Sequence, residues 1–241
     1  MPTDPPPRAP SARPPVHAHE RFVAKRAAFA GLDLAQRFAR IKETGLWGAE
    51  TSVSGLGSEW AATAAVRAAL APLFTRFGIE SVLDVPCGDA RWIADSVRDI
   101  VYTGIDIVPA LVAAAQAHER ATGGFRRFRV GDLTRDPLPR VDLILCRDCL
   151  VHLSFANIAR AITQFRDSGS RYLLTTTFPA LDHNADCEDG DWRGLNLERA
   201  PYGWPAPLAL IDERCDEGDG GWSDKSLGLW SLADVPQPAC E

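Results

Sequence analysis

Acidic residues around a glycine turn mark the most informative stretch of the sequence, SVLDVPCGDARW at residues 81–92. Asp84 lies within an apolar run, where an acid is costly unless a partner holds it. Gly88 lets the backbone approach a ligand closely. Asp89 stands where it could cap a helix beginning at Ala90. A strand, a glycine turn and a helix are the elements with which a doubly wound sheet opens a nucleotide site.

Two further acids follow at the spacing that such a site requires. Asp106, near the end of YTGIDI, comes about twenty residues after the turn, where a carboxylate can accept both hydroxyls of a ribose. Asp132, in VGDLTRDPLP, could accept from the exocyclic amine of adenine, and Leu133 could stack on the ring. A solvated acid at a strand end is the alternative for Asp106. Asp84 either orders the turn or binds a ligand ammonium group, which Asp89 could also do.

Two other kinds of site are disfavoured. A nicotinamide nucleotide requires GxGxxG after the first strand, but the turn here is CGDARW, without a second or third glycine. Cys146 and Cys149 form a CxxC, with only His152 and Cys187 as loose further ligands. A zinc site needs four ligands at suitable spacing, so no metal is predicted. Thinly spread cysteines predict reduced thiols in a cytoplasmic protein.

Alternating strands and helices would position these acids. Apolar runs predict strands at 81–85, 101–107, 125–130, 141–146 and 172–177, with later ones at 208–214 and 225–232. Helices are predicted from 90, over 109–120 and over 155–167. The predicted fold is α/β: a Rossmann-like, seven-stranded, mostly parallel, doubly wound sheet with helices on both faces.

Residues 20–241 are expected to form a single domain, which includes segments before and after the alternating strands and helices. Residues 1–19 are rich in Pro, Ala and Arg and are predicted to be a disordered tail. Residues 20–78 are predicted to be a helical N-terminal cover, and residues 178–221, rich in Pro, Gly, Trp and Asp, a lid-like insertion. Apolar residues at helical spacing predict the helices of the cover, at 20–42 and 58–77.

Composition limits the partners. The formal charge is −6, whereas a general nucleic-acid binder carries a basic surplus. No apolar run approaches the roughly 20 residues of a membrane span. We therefore expect neither a nucleic-acid nor a membrane partner.

Four motifs, in order, resemble those of class I S-adenosylmethionine-dependent methyltransferases: LDVPCGDARW, YTGIDI, VGDLTRDPLP and VDLILCRDCLVHL. The resemblance covers roughly residues 59–232 and is strongest at strands 1, 2 and 4. It implies S-adenosylmethionine as the cofactor. The cofactor-binding residues that it implies are Asp84, Cys87, Gly88, Asp89, Asp106, Ile107, Asp132, Leu133 and Arg147.

A narrower resemblance concerns WGAETSVSGLGSEWAATAAVR, which precedes strand 1. It is similar to a segment of a bacterial subgroup with the pattern WGxxxSxSGxGS, in which a Gly-Ser turn and a Thr/Arg-bearing helix close over the methionine end of the cofactor. The matching residues here are Gly57, Ser58, Thr63 and Arg67. The resemblance implies that Arg67 pairs with the cofactor carboxylate; an exposed helix arginine is the alternative.

The turns after strands 4 and 5 face the transferable methyl group in this family. His152 and His183 are therefore candidate general bases, since imidazole titrates near neutral pH. Asp148 is a further catalytic candidate, and alternatively holds the Arg147 guanidinium.

The lid-like insertion supplies candidate substrate residues, Trp192, Arg193 and Asn196 in DWRGLNL. Arg193 would bind an anionic group of the substrate. The expected function is methyl transfer to an O or N atom of a small molecule, sugar or peptide. The alternative is a non-catalytic S-adenosylmethionine-binding module of the same fold, and the acids of the pocket disfavour a scaffold without a ligand.

Overall fold

The structure is a computed structural model that describes residues 13–48 and 56–238. Within these ranges the α-helices are α1 His17–Lys25, α2 Leu34–Glu43, α3 Ala64–Phe77, α4 Pro109–Thr122 and α5 Phe155–Asp167. The strands are β1 Ser81–Asp84, β2 Val101–Asp106, β3 Arg127–Val130, β4 Leu143–Cys146, β5 Tyr172–Thr177, β6 Ala209–Asp212 and β7 Ser226–Ser231.

All seven strands form one sheet in the order β3-β2-β1-β4-β5-β7-β6. The first five are parallel, and β7 pairs antiparallel with both β5 and β6. The predicted Rossmann-like, mostly parallel sheet is therefore confirmed. The chain reverses direction across the sheet between β1 and β4. This reversal opens a crevice at the carboxyl ends of the strands, where doubly wound sheets bind ligands.

Apolar runs buried on both faces explain the central strands. Every residue of β4 is buried, as is typical of a parallel strand covered by helices on both sides. The α5 helix packs on one face of the sheet and α3 on the other. The edge strand β3 begins two residues later than predicted, because Phe125 is 97% exposed beyond the edge of the sheet.

The predicted helix beginning at Ala90 is wrong. Ala90 has a left-handed φ of 51°, which an L-residue cannot continue into a right-handed helix. Asp89 accepts a hydrogen bond from the backbone N–H of Arg91 at 3.2 Å, within a turn. A short 3₁₀ helix follows only at Ala94–Val97.

The predicted helix over 20–42 is divided into α1 and α2. A 3₁₀ turn at Arg26–Phe29 and Gly31, with φ 72°, separate the two helices. Asp33 then starts α2 with a capping box, in which it and Gln36 exchange hydrogen bonds. The α3 helix begins at Ala64, six residues later than predicted.

The predicted disordered tail lies partly outside the described residues, at 1–12. The remainder is ordered against the C-terminal part of the chain. Arg13 forms an ion pair with Asp224 at 2.5 Å, and the Pro14 carbonyl accepts the indole N–H of Trp222. These two contacts and the burial of Val16 offset part of the conformational entropy that this short segment loses.

Candidate active site

A deep pocket lies at the carboxyl ends of β1, β2 and β4, where the strand order reverses. It contains about 930 Å³ of space outside protein atoms, part of which is open to solvent. Eleven predicted site residues line it: Ser58, Asp84, Cys87, Gly88, Asp106, Ile107, Asp132, Leu133, Arg147, Asp148 and His152. Sequence reasoning did not identify several other lining residues, among them Leu34, Phe38, Lys42, Trp47, Trp92, Val108 and Leu111.

Asp106 is fixed at the end of β2 by backbone donors. One carboxyl oxygen accepts the Gly88 N–H at 2.9 Å and the other accepts the Val108 N–H at 2.8 Å. Gly88 adopts a left-handed φ of 55°, which brings its N–H to the carboxylate. Burial raises the pKa of Asp106 to about 6. Each oxygen keeps a further lone pair, so the group can also accept hydroxyl donors from a ligand.

Asp84 lies on the neighbouring strand and is 2% exposed. It accepts a hydrogen bond from the Tyr102 hydroxyl at 2.6 Å. Burial raises the pKa of Asp84 to about 7, and the nearby Asp106 carboxylate adds to this effect. Asp84 and Asp106 therefore place two carboxyl groups with raised pKa values on one side of the pocket.

The β3 side of the pocket is shaped by Asp132 and Leu133. Asp132 accepts hydrogen bonds from both the backbone N–H and the hydroxyl of Thr134, at 2.8 and 2.7 Å. Its second oxygen lies 3.3 Å from the Arg135 guanidinium. Leu133 and Leu111 add apolar wall between the polar groups. This combination suits a flat ring with a polar edge.

The β4 side of the pocket holds a buried cluster of four charges, Arg147, Asp148, Glu213 and Lys225. Arg147 donates to one Glu213 oxygen, Oε2, at 3.1 and 2.5 Å, and lies 3.4 Å from Asp148. Lys225 lies 2.7 Å from Asp148 and 3.7 Å from Glu213. Neither Glu213, just beyond β6, nor Lys225, just before β7, was predicted as a site residue.

These ion pairs set the protonation states of the cluster. Burial alone would raise the pKa of Asp148, but Lys225 and Arg147 outweigh it and hold that pKa well below its usual range. Burial opposes the charges of Arg147 and Lys225, yet the facing carboxylates raise both pKa values. All three side chains are therefore charged at neutral pH, and Arg147 also lies over the ring of Trp92.

His152 lies on a 3₁₀ turn that follows the cluster along the chain. Its Nδ1 lies 2.7 Å from the carbonyl oxygen of Asp191. A carbonyl can only accept, so Nδ1 carries the proton and Nε2 has the free lone pair. Burial lowers the pKa of His152 to about 4, which keeps the ring neutral at physiological pH. Trp47 stacks on the ring with centroids 4.4 Å apart.

Three of the four residues matched to the WGxxxSxSGxGS segment lie outside the pocket lining: Gly57, Thr63 and Arg67. The Thr63 hydroxyl is buried and donates to the carbonyls of Glu59 and Trp60. The Arg67 guanidinium lies 3.4 Å from the centre of the Trp60 ring and donates to the Trp60 carbonyl. Asp89 is buried in the turn after β1, also outside the lining. Residues 49–55 of this segment lie outside the described part of the chain.

The predicted substrate residues and His183 are also placed away from the pocket. Arg193 donates to the carbonyls of Leu150, Leu153 and Ala185, which ties the insertion to the 3₁₀ turn. Trp192 packs against Phe178 and Trp222. Asn196 is buried, and its amide donates to two backbone carbonyls. His183 is exposed.

No described residue of 178–221 lines the pocket, so the segment does not cover it as a lid would. It packs instead beside the pocket and supports it, because the Asp191 carbonyl orients His152.

Within the described residues, the structure contains neither a metal-binding cluster nor a membrane-spanning helix. Residues 13–48 and 56–238 contain no group of three or more His, Cys, Asp or Glu side chains arranged to hold a metal ion. In the same ranges, no helix has the length and apolar character needed to cross a membrane.

The strand order, with a pocket at the point where that order reverses between β1 and β4, is that of the class I methyltransferase fold. Magnesium protoporphyrin IX methyltransferase (ChlM) of Synechocystis PCC 6803, solved with bound SAM, shares this fold at a TM-score of 0.50. The two chains are 17% identical over 65% of this chain and 82% of ChlM.

The sequence itself matches a family over part of its length. Residues 82–168 match the family described as a methyltransferase domain. Curated proteins give no match to the chain.

Other solved structures are more distant. A S-adenosylmethionine-dependent methyltransferase of Clostridium acetobutylicum is 12% identical, with a TM-score of 0.43 over 63% of this chain and 61% of that one. YcgJ of Bacillus subtilis is 19% identical over 45% of this chain, with a TM-score of 0.39. The chain spans about half the length of several solved proteins that it matches, YcgJ among them at 50%.

Proposed function

We propose that this protein transfers a methyl group from S-adenosylmethionine to an O or N atom of a small molecule, sugar or peptide. S-adenosylmethionine is the cofactor of the class of fold described above. The observation that carries the proposal is the position of His152. This neutral imidazole, with a free Nε2, lines the same pocket as the carboxylate of Asp106, which can accept hydroxyl groups.

The residues of the pocket fit this cofactor. Asp106 would accept the ribose hydroxyls, because backbone donors hold its oxygens in place and leave lone pairs free. Asp132 and Leu133 would flank the adenine, and Asp84 lies where an ammonium group could reach it. Ser58 and Cys87 line the remaining wall. When bound, the cofactor supplies an activated methyl carbon.

His152 would act as the general base for the acceptor. The Asp191 carbonyl fixes the proton on Nδ1, and stacking on Trp47 fixes the plane of the ring. Nε2 is therefore ready to take the proton from an acceptor hydroxyl or ammonium group. Asp148 is held by Lys225 and Arg147 in its charged form, so it would shape the wall rather than move a proton.

His152→Asn is the most direct test of this role. Asparagine keeps a donor for the Asp191 carbonyl but removes the basic nitrogen. We expect the rate of labelled-methyl transfer to fall about 10²- to 10⁴-fold. Calorimetry should give an unchanged Kd for S-adenosylhomocysteine, within about twofold.

His183→Ala is the matched control, since His183 was the second candidate base and its side chain is exposed. We expect it to retain the wild-type rate. Equal rates for wild type and His152→Asn would reject His152 as the base. Binding of S-adenosylhomocysteine without transfer to any acceptor would instead support the non-catalytic binding module.

We also propose that the protein belongs to the bacterial subgroup with the WGxxxSxSGxGS segment. Ser58 supports it, because this residue lines the pocket beside Asp148. Arg67 would have to leave Trp60 to reach a cofactor carboxylate. We therefore expect Arg67→Met to change the Kd for S-adenosylhomocysteine far less than Asp106→Ala does.

A further inference from the structure

One wall of the cofactor pocket comes from the N-terminal cover, and we call it the α2 wall: Leu34, Phe38, Lys42 and Trp47. The first three recur at every fourth residue of α2, so they lie along one face of that helix. Ile41 lies on another face and is buried in the core of the cover. The helix therefore turns one face to its own core and another to the pocket.

The α2 wall reaches the candidate base. The Trp47 ring stacks on His152 with centroids 4.4 Å apart, and the Phe38 ring lies 6.1 Å from that of Trp47. Stacking covers a face of the imidazole, whereas the free lone pair of Nε2 lies in the plane of the ring. Lys42 follows Phe38 by one turn of α2. A molecule along this wall would therefore meet the base, aromatic rings and a cation.

Lys42 is the cation of the α2 wall. Its side chain is half-buried and forms neither an ion pair nor a hydrogen bond within the part of the chain that the structure describes. The other cation that lines the pocket, Arg147, is held by Glu213 and Asp148. An ammonium group offers three N–H donors and no acceptor, so the group that suits Lys42 best is an anion.

The acids that line the pocket have other partners, and in the described structure none of them forms an ion pair with Lys42. They are Asp84, Asp106, Asp132 and Asp148. Two of these acids form the side of the pocket that would accept the hydroxyl and ammonium donors of the cofactor. The α2 wall, with its rings and its cation, instead suits a second molecule that carries an anionic group.

We infer that the α2 wall binds the methyl acceptor, and that this acceptor is an aromatic hydroxy acid whose carboxylate pairs with Lys42. This inference rests on the proposed function and narrows its substrate class. The ring of the acceptor would pack against Phe38 and Trp47, because aromatic rings favour edge-to-face and offset contacts. Its hydroxyl group would point to Nε2 of His152.

Lys42 takes no part in the transfer itself. The hydroxyl oxygen would form a bond to the methyl carbon as the bond between that carbon and sulfur breaks, and the hydroxyl proton would pass to Nε2 of His152. The products are a methyl ether, S-adenosylhomocysteine and a protonated imidazole, which then releases its proton to solvent. Lys42 is a positioning residue, because it would hold the far end of the acceptor and so direct the hydroxyl group to the base.

Ligand-detected NMR titrations of the full chain saturated with S-adenosylhomocysteine test the inference with matched probes. The acids are 3- and 4-hydroxybenzoate, the neutral analogues are the corresponding amides, and the cation is 4-hydroxybenzylamine. We expect at least one acid to bind about tenfold more tightly than its amide, and the cation to bind more weakly than that acid. Binding of neither acid, acids that bind no more tightly than their amides, or tighter binding of the cation would overturn the inference.

Variants of Lys42 test whether the preference for acids arises at the α2 wall. Lys42→Met should bring the Kd of the acid to within about twofold of that of its amide, whereas Lys42→Arg should retain the preference. Lys25→Met, at an exposed position of α1 outside the lining, is the matched control. A preference for acids that survives Lys42→Met would overturn the inference.

A variant of Phe38 tests the contact with the ring of the acceptor. Phe38→Leu keeps an apolar side chain but removes the aromatic ring, so we expect acid and amide both to bind about three- to tenfold more weakly. Phe77→Leu is the matched control, because Phe77 is also half-buried and lies outside the lining. Equal Kd values in wild type and Phe38→Leu would reject the placement of the acceptor on this wall.

Calorimetry with S-adenosylhomocysteine separates this inference from the proposed function, since the cofactor also carries a carboxylate. A Kd for S-adenosylhomocysteine that is unchanged within about twofold in Lys42→Met, together with loss of the preference for acids, supports the inference. A Kd that rises about tenfold or more in Lys42→Met would assign Lys42 to the cofactor and reject the inference alone. Failure of wild-type protein to bind S-adenosylhomocysteine would reject the proposed cofactor function.

Discussion

The two sides of the pocket bury acids in opposite ways. On the β1–β2 side, Asp84 and Asp106 are held by neutral donors, a tyrosine hydroxyl and two backbone N–H groups. Their pKa values are raised by burial. On the β4 side, Asp148 meets Lys225 and Arg147, and these cations lower its pKa although burial alone would raise it.

This difference shows how one sheet edge can serve two purposes. Neutral donors position a carboxyl group without neutralising it, so it remains available to a ligand that offers hydroxyl groups. Ion pairs satisfy a carboxylate internally, so the β4 side is a charged wall that needs no ligand. The β1–β2 side is therefore suited to recognition, and the β4 side to holding the architecture around His152.

Removing one charge from the β4 side should have the largest effect on stability. Lys225→Met leaves Asp148 and Glu213 with Arg147 as their common cation. Breaking a buried pair leaves a charge without compensation, so we expect the free energy of unfolding in urea to fall by about 3 kcal/mol. Arg98→Met, which breaks an exposed pair with Asp95, should change it by less than about 1 kcal/mol.

A double variant identifies the source of that loss. Asp148→Asn combined with Lys225→Met removes one charge of each sign, and asparagine tolerates the left-handed φ of 51° at this position. We expect the double variant to recover at least about half of the lost stability. Additive losses would show that packing, rather than the unpaired charge, governs this side.

Removing the hydrogen-bond-accepting carboxylate from the β1–β2 side should instead weaken cofactor binding. Asp106→Ala deletes both oxygens that face the ribose in our proposal. We expect calorimetry to show about 100-fold weaker binding of S-adenosylhomocysteine, equivalent to about 2.7 kcal/mol. Asp99→Ala, an exposed acid outside the pocket, is the control. An unchanged Kd in Asp106→Ala would reject the assignment of the β1–β2 side to the cofactor.

The last prediction concerns the pH dependence of stability. An unfolded aspartate has a pKa near 3.9, whereas that of Asp84 in the fold is about 7. Between these values the unfolded chain releases its proton first, so Asp84 lowers stability as pH rises from about 4 to 7, with no further loss above. We expect Asp84→Asn to remove most of this decline, measured by urea unfolding at successive pH values.

Asp148 has the opposite sign and provides the internal comparison. Its lowered pKa stabilises the fold above the unfolded pKa, and this contribution is lost as pH falls below about 4. The fall in stability below about pH 4 should therefore be the same in wild type and Asp84→Asn. An Asp84→Asn profile parallel to wild type between pH 4 and 7 would contradict the contrast between the two sides.

The β1–β2 side was largely predictable from sequence because its parts are close together along the chain. Asp84, Gly88 and Asp106 follow one another at a spacing set by a strand, a turn and a second strand. The apolar runs predict those strands because parallel strands are buried on both faces. The turn after β1 was mistaken for a helix, since no sequence signal marks the left-handed conformation of Ala90.

The β4 side was predictable only in part. Arg147 and Asp148 follow a recognisable strand, but their partners Glu213 and Lys225 are brought to them by antiparallel pairing of β7 with β5 and β6. No periodicity links such distant positions. Arg193 was assigned to substrate because it stands in the predicted lid-like insertion, yet backbone carbonyls satisfy its guanidinium. The helical spacing of Leu34 and Phe38 predicts a buried face without revealing that it faces a pocket.

The antiparallel strand β7 also affects how the protein is made. Asp148 and Lys225 are 77 residues apart in the chain, and synthesis proceeds at about 5–20 residues per second. The ribosome therefore finishes Asp148 about 4–15 s before it adds the lysine that pairs with it. Four of the five parallel strands are already made when this interval begins, and β5 is made during it, while the wall beside His152 still lacks its second cation. Assembly of the wall beside His152 therefore waits until the antiparallel strand β7 reaches the sheet.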